Sequence, residues 1–367
     1  MTSRSTRRTT RTSFPACRPG RSRIRVSAQS SPCCGPRNRT SSTSSRRATD
    51  RTPSPRRSPS TRRTSSATPG HELRGRPVTA TIALLGHPVA HSISPPMQQA
   101  ALDALGVDAR YEAWDVAPGE VAAAVERLRG EGVLGANVTV PHKVELLGRA
   151  DEVDSLAEQV GAVNTVVPRE GRLHGANTDV AGVLRTLADA GVEVADAEVV
   201  LIGAGGAARA VVVAVRAEGA SRLTIANRTP ANAAALTDLG GDGMEVRIAL
   251  LDSGSPLLRG AMERARLVIH STTLGMRHGP DESATPIPAE LFAAGQAALD
   301  LVYIPERTPF LRAAEAAGAQ PIGGLGMLVY QGAESFRMWT GLQPPTEVMF
   351  AAARAALSAR SAEETAQ

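Results

Sequence analysis

A glycine-rich turn separates an apolar run from a helix-forming run in the segment "VVLIGAGGAARAVVVAV", residues 199–215. Gly203, Gly205 and Ala208 form the pattern G-x-G-x-x-A directly after a candidate strand. Glycines at these places permit a tight turn and let the backbone approach a pyrophosphate, whose charge is met by amides and the positive end of the helix. The segment predicts the first βα unit of a dinucleotide-binding sheet; a glycine-rich turn without a ligand is the alternative.

Five candidate strands begin here and follow one another toward the C-terminus, separated by helices or loops. Their sequences are "AEVVLIG", "RLTIAN", "EVRIAL", "RLVIHS" and "AALDLVY". Strands that alternate with helical connections pair in parallel, and helices cover both faces of the sheet. The pattern therefore predicts a Rossmann-like α/β unit.

An earlier series of strands and helices starts at Ala80. "TIALLG", "ARYEAWDV" and "GANVTV" indicate strands, while "PPMQQAALDALG" and "PGEVAAAVERLRGEG" indicate helices, the first ended by Gly106 and the second with Pro118 in its first turn. This β-α-β-α-β order predicts another parallel α/β unit. Three further helical segments are "TDVAGVLRTLADAG" between the two series, and "LGMLVYQGAESFRMWTG" and "PTEVMFAAARAALSAR" near the C-terminus.

The basic character of the chain is confined to residues 1–76, which hold 19 Arg against Asp50 and Glu72. The 22 basic and 34 acidic residues of 77–367 give that part a net charge of −12, which repels nucleic-acid phosphates. The Arg/Ser/Thr/Pro-rich segment has little to form a core, and we expect a disordered tail. Sequence upstream of a true start near Val78 is the favoured explanation; a plastid-type transit segment and a basic arm for RNA or membrane surfaces are the alternatives.

Cysteine positions and apolar run lengths disfavour further classes. Cys17, Cys33 and Cys34 all precede residue 77, so the rest of the chain predicts neither a disulfide framework nor a thiolate metal site. Without a Cys, His and Asp cluster at ligand spacing, we expect no metal. The most apolar run, 199–215, is too short for a transmembrane helix and contains Arg209. We expect a cytoplasmic protein without nucleic-acid or membrane partners.

Lys143 is the only lysine among the 41 basic residues of the chain. It lies in "GANVTVPHKVELL", directly after a candidate strand. A guanidinium, with a pKa above about 12, cannot give up a proton, whereas an amine can act as acid or base. A catalytic amine is the favoured interpretation, and a chance remnant of an arginine-biased composition is the alternative.

The sequence after the second strand of the Rossmann-like series bears on the cofactor. At this place NAD-binding proteins usually carry an acidic residue for the adenosine ribose, whereas this chain has Asn227, Arg228 and Thr229. A guanidinium suits a 2′-phosphate through charge-assisted hydrogen bonds, and no carboxylate is present to repel it. NADP is therefore favoured over NAD, with a solvated arginine as the alternative. A P-loop kinase is disfavoured because no GxxxxGK[ST] motif occurs.

Several motifs, in order over about residues 80–350, resemble the shikimate dehydrogenase family. They are "GHPVAHSISPPM", "GANVTVPHK", "GAVNTVV", "GANTDVAGV", "GAGGAARA", "NRT", "LDLVY" and "GGLGMLVYQ". The resemblance implies an enzyme that reversibly reduces 3-dehydroshikimate to shikimate with NADPH, on the way to chorismate and the aromatic amino acids. It also implies a substrate-binding α/β domain at 77–180, completed by C-terminal helices at 325–360, and an NADP-binding Rossmann-like domain at 181–324. A monomer and a homodimer both fit this expectation.

The resemblance also implies roles for individual residues. Lys143 and Asp179 correspond to the catalytic pair. The substrate-binding positions are Ser92, Ser94 and Tyr303 at the carboxylate, and Asn137, Thr139, Asn164 and Gln331 at the ring hydroxyls. The cofactor-binding positions are Gly203, Ala204, Gly205, Gly206 and Ala207 at the pyrophosphate, Asn227, Arg228 and Thr229 at the adenosine phosphate, and Met276, Gly324 and Met327 at the nicotinamide.

Elementary chemistry agrees with the implied pair, because reduction of a carbonyl needs a proton for the developing alkoxide and Lys143 can donate it. A carboxylate such as Asp179 would hold the ammonium in place. The other positions have plainer interpretations: the serines can be helix caps, Asn137 and Thr139 solvated strand residues, Asn164 and Asp179 turn formers, Gln331 a polar-face residue, and Tyr303 and the two methionines packing residues.

The chain departs from the commonest family pattern at several positions. Val180 follows Asp179 where glycine is usual, and "HSTTLGM" replaces "NATPLGM", which should bring His270 and Ser271 near the nicotinamide side. Asn232 occupies a position that is often basic. An NAD-dependent quinate/shikimate dehydrogenase and a non-catalytic dinucleotide-binding protein are therefore the alternatives.

Overall fold

A computed structural model describes residues 80–365, with side chains described up to residue 360. Within this range the chain forms two six-stranded sheets and eleven α-helices. The expectations for residues 1–76, including the three cysteines, fall outside the described residues.

The first sheet is built from residues 80–176. Its strands are β1 (Ala80–Gly86), β2 (Ala109–Asp115), β3 (Val133–Val138), β4 (Glu152–Val153), β5 (Thr165–Arg169) and β6 (Arg172–Ala176). They lie in the order β2-β1-β3-β5-β6-β4, and β1 pairs in parallel with β2 and β3. The predicted parallel β-α-β-α-β unit is confirmed for these three strands.

The other half of this sheet lies outside the predicted β-α-β-α-β unit. β5 is antiparallel to β3, and β6 is antiparallel to β5. A two-residue turn joins β5 to β6, and both its residues, Glu170 and Gly171, have positive φ. The pairing of β5 with β6 is antiparallel because the chain returns through a tight hairpin, which only antiparallel strands permit.

Four helices accompany the first sheet: α1 (Ser94–Ala104), α2 (Val121–Leu128), α3 (Lys143–Leu147) and α4 (Ser155–Val160). α2 begins at Val121, so Pro118 precedes the helix. The prediction that Pro118 lies in the first turn is therefore wrong. α4 has a side-chain cap, since Asp154 Oδ1 accepts from the Ala157 amide at 2.6 Å. Gly161, with φ 69°, ends this helix in the left-handed conformation.

The second sheet is entirely parallel among the described residues. Its strands are β7 (Glu198–Ile202), β8 (Arg222–Asn227), β9 (Glu245–Leu250), β10 (Leu267–His270), β11 (Ala297–Asp300) and β12 (Gln320–Ile322). The order β12-β11-β10-β7-β8-β9 reverses at β7, which places a crevice beyond the carboxyl end of that strand. The five predicted strands are confirmed, and β12 is an additional edge strand.

Seven further helices complete the fold: α5 (Asp179–Asp189), α6 (Gly206–Ala217), α7 (Pro230–Ala234), α8 (Pro256–Arg264), α9 (Pro309–Ala316), α10 (Leu325–Thr340) and α11 (Thr346–Thr365). α10 packs against α5 and α11, and it also contacts β3 and β5 of the first sheet. α11 packs against α1. The C-terminal helices therefore return to the first sheet after the second sheet is complete.

Apolar side chains cover both faces of each sheet. Along β1, Ile82 joins the core beneath α10 with Phe336, and Leu85 joins the opposite core with Leu128 of α2. This alternation follows from the two-residue period of a strand. Buried faces leave the strand ends as the places where polar side chains can meet.

Candidate active site

Lys143 and Asp179 form a largely buried ion pair. Lys143 Nζ donates to Asp179 Oδ2 at 2.6 Å, and the side chains are 16% and 3% exposed. Lys143 is the first residue of α3 and Asp179 the first residue of α5. This charge-assisted bond uses one of the three ammonium protons, so the amine keeps donors for a ligand.

Two hydrogen bonds fix the backbone at Lys143 and at the residue before it. His142 is buried, and its Nε2 lies 2.7 Å from the Val116 carbonyl oxygen. The carbonyl of Lys143 accepts from the Val163 amide at 2.8 Å. His142 therefore anchors the start of α3, while the side chain of Lys143 points to Asp179.

Asn164 connects the ion pair to the C-terminal helix α10. Its Nδ2 donates to Asp179 Oδ1 and to Thr178 Oγ1, each at 2.9 Å, and its Oδ1 accepts from the Thr178 amide at 2.7 Å. Gln331 Oε1 of α10 accepts from the same Nδ2 at 3.3 Å. Both ends of the amide are engaged, which fixes its orientation and that of the carboxylate. The structure thus brings Lys143, Asp179, Asn164 and Gln331 together.

A buried hydroxyl cluster lies next to this network. The Oγ atoms of Thr165, Thr178 and Ser335 are 2.8 to 3.2 Å apart. Asn137 joins the cluster, since its Nδ2 donates to Ser335 Oγ at 2.9 Å and its Oδ1 accepts from the Tyr111 hydroxyl at 2.8 Å. Burial raises the pKa of Tyr111, so the phenol stays a donor. Asn137 is therefore a buried network residue and not a solvated strand position.

Sequence reasoning missed the three hydroxyl residues of this cluster, Thr165, Thr178 and Ser335. Ser335 follows Gln331 by four residues on α10, and its Oγ donates to the Gln331 carbonyl at 3.0 Å. Spacing of i and i+4 on one helix face could have found it. Thr178 stands between two residues of the "NTD" motif, but its hydroxyl has no distinguishing sequence signal.

Ser92, Ser94 and Tyr303 form a second polar group. Ser92 Oγ accepts from the Ser94 amide at 3.2 Å, and the Tyr303 phenol interacts with the Ser92 side chain. Burial raises the pKa of Tyr303, which keeps this phenol protonated. The N-cap of α1 is Ile93, and no side chain caps the helix. Neither serine is therefore the N-cap residue of α1, although Ser92 accepts from the amide of Ser94, the first residue of that helix.

Thr139 stands apart from both groups. It follows β3, and a Cβ built on Gly86 would lie 2.3 Å from its Cγ2. Within residues 80–360 its hydroxyl has no hydrogen-bond partner, so it remains available to a ligand.

The glycine-rich turn joins β7 to α6, which begins at Gly206. Gly203 has φ +108°, and a Cβ there would lie 2.7 Å from Ser271 Oγ and 2.8 Å from Thr272 Cγ2, so only glycine fits. A Cβ on Gly205 or Gly206 would meet no atom within 4 Å. The turn is thus tight on its inner side and open where α6 starts.

The open side has the properties of a phosphate site. Amides in the first turn of a helix have no intrahelical acceptor and carry partial positive charge. Here they belong to Gly206, Ala207 and their neighbours, and Ala204 and Ala207 are both partly exposed. The small side chains leave room for a pyrophosphate, so the residues present fit a dinucleotide.

Asn227, Arg228 and Thr229 follow one another at the carboxyl end of β8, which is the neighbour of β7. Asn227 Nδ2 donates to the Thr229 carbonyl at 2.8 Å and shapes this turn. Arg228 is exposed and has no ion-pair partner among the described side chains. Its guanidinium is therefore available to an anionic ligand, and Asn232 supplies no second cation.

The positions predicted at the nicotinamide differ in exposure. Met276 is partly exposed, whereas Met327 is buried in the core cluster that α5 and α6 share. Gly324 precedes α10, and a Cβ there would lie 2.7 Å from the Leu301 carbonyl. The methionine side chain at position 327 thus fills space in the core. Glycine is needed at position 324 because the backbone of Leu301 lies too close for a side chain.

His270 is the last residue of β10 and supports the segment that follows this strand. It is fully buried, with Nδ1 2.9 Å from Asp300 Oδ1 and Nε2 2.5 Å from Thr272 Oγ1. Asp300 also accepts from the Val302 amide at 2.9 Å and from the Thr308 hydroxyl at 2.6 Å. Both ring nitrogens of His270 are used in this support, and the expected place of His270 and Ser271 near the nicotinamide stays a prediction.

Neither a metal cluster nor a membrane helix is found in the part of the chain that the structure describes. No group of three or more His, Cys, Asp or Glu is placed to hold a metal there, and no helix there is long and apolar enough to cross a bilayer.

Three family models match successive parts of the chain. Residues 84–166 match the shikimate dehydrogenase substrate binding domain, residues 186–274 match shikimate / quinate 5-dehydrogenase, and residues 324–354 match the shikimate 5'-dehydrogenase C-terminal domain. A curated relative from Moorella thermoacetica, named shikimate dehydrogenase (NADP(+)), is 46% identical over 77% of this chain and 95% of its own length. The chain belongs to the shikimate dehydrogenase family.

Solved structures of related enzymes share the described fold. A shikimate 5-dehydrogenase from Thermus thermophilus, solved with NADP(H) and shikimate, is 43% identical with a TM-score of 0.68, covering 76% of this chain and 100% of that one. A quinate dehydrogenase from Corynebacterium glutamicum, solved with NAD, is 30% identical with a TM-score of 0.68, covering 75% and 98%. Because the two TM-scores are equal, the fold alone does not separate shikimate from quinate enzymes in this family.

Proposed function

We propose that this protein is an NADP-dependent shikimate dehydrogenase, an oxidoreductase that reversibly reduces 3-dehydroshikimate to shikimate in the pathway to chorismate and the aromatic amino acids. The observation that carries the proposal is the 2.6 Å pair of Lys143 and Asp179, joined through Asn164 to Gln331. A largely buried amine held by a carboxylate is what proton transfer to a reduced ketone requires. The name of the Moorella thermoacetica relative supports the same activity.

Reduction of a ketone adds a hydride to carbon and a proton to oxygen. Bound NADPH supplies the hydride. Lys143 donates the proton to the oxygen, and its positive charge stabilises the alkoxide as that charge develops. Asp179 holds the ammonium in position through the 2.6 Å bond. In the reverse direction the neutral amine of Lys143 accepts the proton of the substrate hydroxyl.

Seven residues bind the substrate in this proposal. Hydroxyl groups of Ser92, Ser94 and Tyr303 hold the carboxylate, while Asn137, Thr139, Asn164 and Gln331 face the ring hydroxyls. Support comes from the contact between Ser92 and Tyr303, and from the bonds that tie Asn164 and Gln331 to Asp179. The unpartnered hydroxyl of Thr139 is consistent with a ligand contact.

The cofactor positions follow from the second sheet. The turn from Gly203 through Ala204, Gly205 and Gly206 to Ala207 offers amides to the pyrophosphate, and Asn227, Arg228 and Thr229 face the adenosine phosphate. Met276, Gly324 and Met327 surround the nicotinamide in this proposal. The open space at Gly205 and Gly206 and the unpaired guanidinium of Arg228 within the described chain support it.

The proposal assigns substrate binding to 77–180 together with 325–360, and NADP binding to 181–324. The contacts of α10 with β3 and β5 support the assignment of the C-terminal helices. We further propose that the protein is a monomer or homodimer in the cytoplasm and has no nucleic-acid partner. Light scattering after gel filtration measures the oligomeric state.

An NAD-dependent quinate/shikimate dehydrogenase is the second candidate, favoured by the match of 186–274 to the combined shikimate / quinate description. Ser94 in place of threonine, and Arg228 with no acidic neighbour, favour shikimate and NADP. Absorbance at 340 nm, measured with shikimate or quinate against NADP or NAD, separates the two. Quinate oxidation with NAD that exceeds shikimate oxidation with NADP would establish the alternative, and no turnover of either would leave a dinucleotide-binding protein.

A further inference from the structure

The side chain of Arg360, on α11, binds three consecutive backbone carbonyls of the loop between β1 and α1. Nη1 donates to the His91 carbonyl, and Nη2 donates to the carbonyls of Ala90 at 3.3 Å and Ser92 at 3.0 Å. One guanidinium thus donates hydrogen bonds to the carbonyl oxygens of three consecutive residues, 90–92. It belongs to a helix that is distant from this loop in sequence.

The same loop carries the hydroxyl groups proposed to bind a carboxylate. Ser92 Oγ accepts from the Ser94 amide and interacts with the Tyr303 phenol. Burial raises the pKa of Tyr303, and the positive charge of Arg360 opposes that rise. The field of Arg360 therefore reaches the hydroxyl group on the far side of Ser92.

Arg360 is not neutralised by a carboxylate among the side chains that the structure describes. Among the described residues, its hydrogen bonds go to the carbonyl oxygens of Ala90, His91 and Ser92. Carbonyl oxygens carry partial negative charge and would repel an approaching carboxylate, so their engagement by a cation removes a local repulsion. The charge of Lys143, by contrast, is already balanced by Asp179 at 2.6 Å.

We propose that Arg360 is a positioning residue for the anionic group of the substrate: it holds the 90–92 loop and supplies the positive charge that the serine and tyrosine hydroxyls lack. This inference rests on the proposed function, in which the loop faces the shikimate carboxylate. Hydroxyl donors orient a carboxylate but cannot balance its charge, and a cation behind them can.

Two substitutions at Arg360 separate charge from structure. Arg360→Gln removes the charge and keeps an amide donor for a carbonyl, whereas Arg360→Lys keeps the charge and loses the planar fork. Arg354→Gln is the matched control, because Arg354 lies on the same helix and its guanidinium stacks 5.7 Å from the Phe350 ring instead of the loop. Thermal unfolding of each variant checks that α11 remains folded.

The decisive comparison uses shikimate and its uncharged methyl ester with the same enzymes. We expect Arg360→Gln to raise the KM for shikimate by about five- to tenfold, with the KM for NADP and kcat within about twofold of wild type. The effect should disappear for the methyl ester, and Arg360→Lys should recover most of the affinity for shikimate. Arg354→Gln should match wild type with both substrates.

Two outcomes would overturn the inference. An unchanged KM for shikimate in Arg360→Gln would remove any role at the carboxylate. An equal loss with shikimate and the ester would leave Arg360 a purely structural residue of the loop. If Arg360→Gln is less stable, the ratio of acid to ester KM still reports the charge, because both values come from the same folded enzyme. Wild-type enzyme that turns over neither compound would instead contradict the proposed function itself.

Discussion

The proposed chemistry depends on the side-chain amine of Lys143. Arginine at this position would keep the charge opposite Asp179 but could not donate a proton at neutral pH. We therefore expect Lys143→Arg and Lys143→Ala to lower kcat by about 10²- to 10⁴-fold, with smaller changes in KM. Steady-state kinetics with shikimate and NADP measure both quantities.

A conservative change just beyond the end of α3 provides the control for Lys143. Arg149→Lys alters an exposed ion pair with Glu145, which is 2.8 Å long and does not include Lys143 or Asp179, and this change should leave kcat unchanged. Turnover at the wild-type rate in Lys143→Arg would contradict the assignment of the proton donor.

The pairing of Lys143 with Asp179 could be predicted at the residue scale through the family resemblance, whereas the arginine-rich composition by itself singles out only Lys143. The hydroxyl cluster could not be predicted. Thr178 and Ser335 lie 3.1 Å apart in the structure but 157 positions apart in sequence, and both are common residue types. Only the return of α10 to the first sheet brings them together.

At the element scale, His270 supports the loop that follows β10. Its Nδ1 lies 2.9 Å from Asp300 Oδ1, and its Nε2 lies 2.5 Å from the Thr272 hydroxyl oxygen. Thr272 in turn packs against Gly203, where a Cβ would lie 2.8 Å from Thr272 Cγ2. The buried histidine thus connects the end of β10 to the glycine-rich turn.

Two substitutions of His270 separate these bonds. His270→Asn places a donor near Nδ1, keeping the bond to Asp300 but releasing Thr272, and should raise the KM for NADP. His270→Gln reaches toward Thr272 but deprives the buried Asp300 of a donor, which costs about 1–3 kcal/mol of unfolding free energy. The KM for NADP and the free energy of unfolding in denaturant are measured for both variants. Equal changes of these two quantities in His270→Asn and His270→Gln would refute a separate role for the bond to Thr272.

The end of α2 is tied to the first sheet by a pH-sensitive contact. Arg129 Nη1 donates to Asp151 Oδ2 at 2.7 Å, and Asp151 also accepts from the Leu173 amide at 2.7 Å. The Arg129 guanidinium and then the Leu173 amide lower the pKa of Asp151 to about 2. The contact therefore stabilises the fold fully above the unfolded-state pKa of about 3.9 and is lost as the pH falls toward 2.

Asp151→Asn tests this contact. The melting temperature of the variant should lie below that of wild type at pH 6, and the difference should shrink as the pH falls from about 4 to about 2. Asp242→Asn is the control, since Asp242 is exposed and has no partner among the described residues. A difference that is constant across this pH range would show that the charge of Asp151 contributes nothing.

Among the elements, the parallel strands could be predicted and the β5–β6 hairpin could not. Apolar runs such as "VVLI" indicate buried parallel strands directly. The hairpin turn needs positive φ at both central residues, and sequences such as Asn-Gly usually reveal it. Here the turn is Glu170 and Gly171, with φ of 52° and 76°, so the usual signal is absent. β12 was missed because it has three residues and includes Pro321.

At the scale of the whole molecule, the packing of α5 on α10 aligns residues that come from distant parts of the chain. α5 begins with Asp179, and α10 carries Gln331. The helices approach closely at Gly182, where a Cβ would lie 2.9 Å from the Met327 carbonyl oxygen and 3.0 Å from Gln331 Cβ. Glycine at this position therefore sets the distance between the two helices.

Gly182→Ala should force α5 and α10 apart. Because the contacted atoms include backbone that cannot turn away, we expect a loss of about 1–3 kcal/mol of unfolding free energy, together with a raised KM for shikimate as Gln331 moves relative to Asp179. Gly260→Ala is the matched control: in the middle of α8 its Cβ would meet only Arg264 Nη1 at 3.4 Å, a flexible group. That change should be neutral or stabilise by about 0.5–1 kcal/mol. Unfolding in denaturant measures the free energy of unfolding of both variants. If Gly182→Ala raises this free energy as much as Gly260→Ala does, α5 and α10 can move apart without an energetic cost.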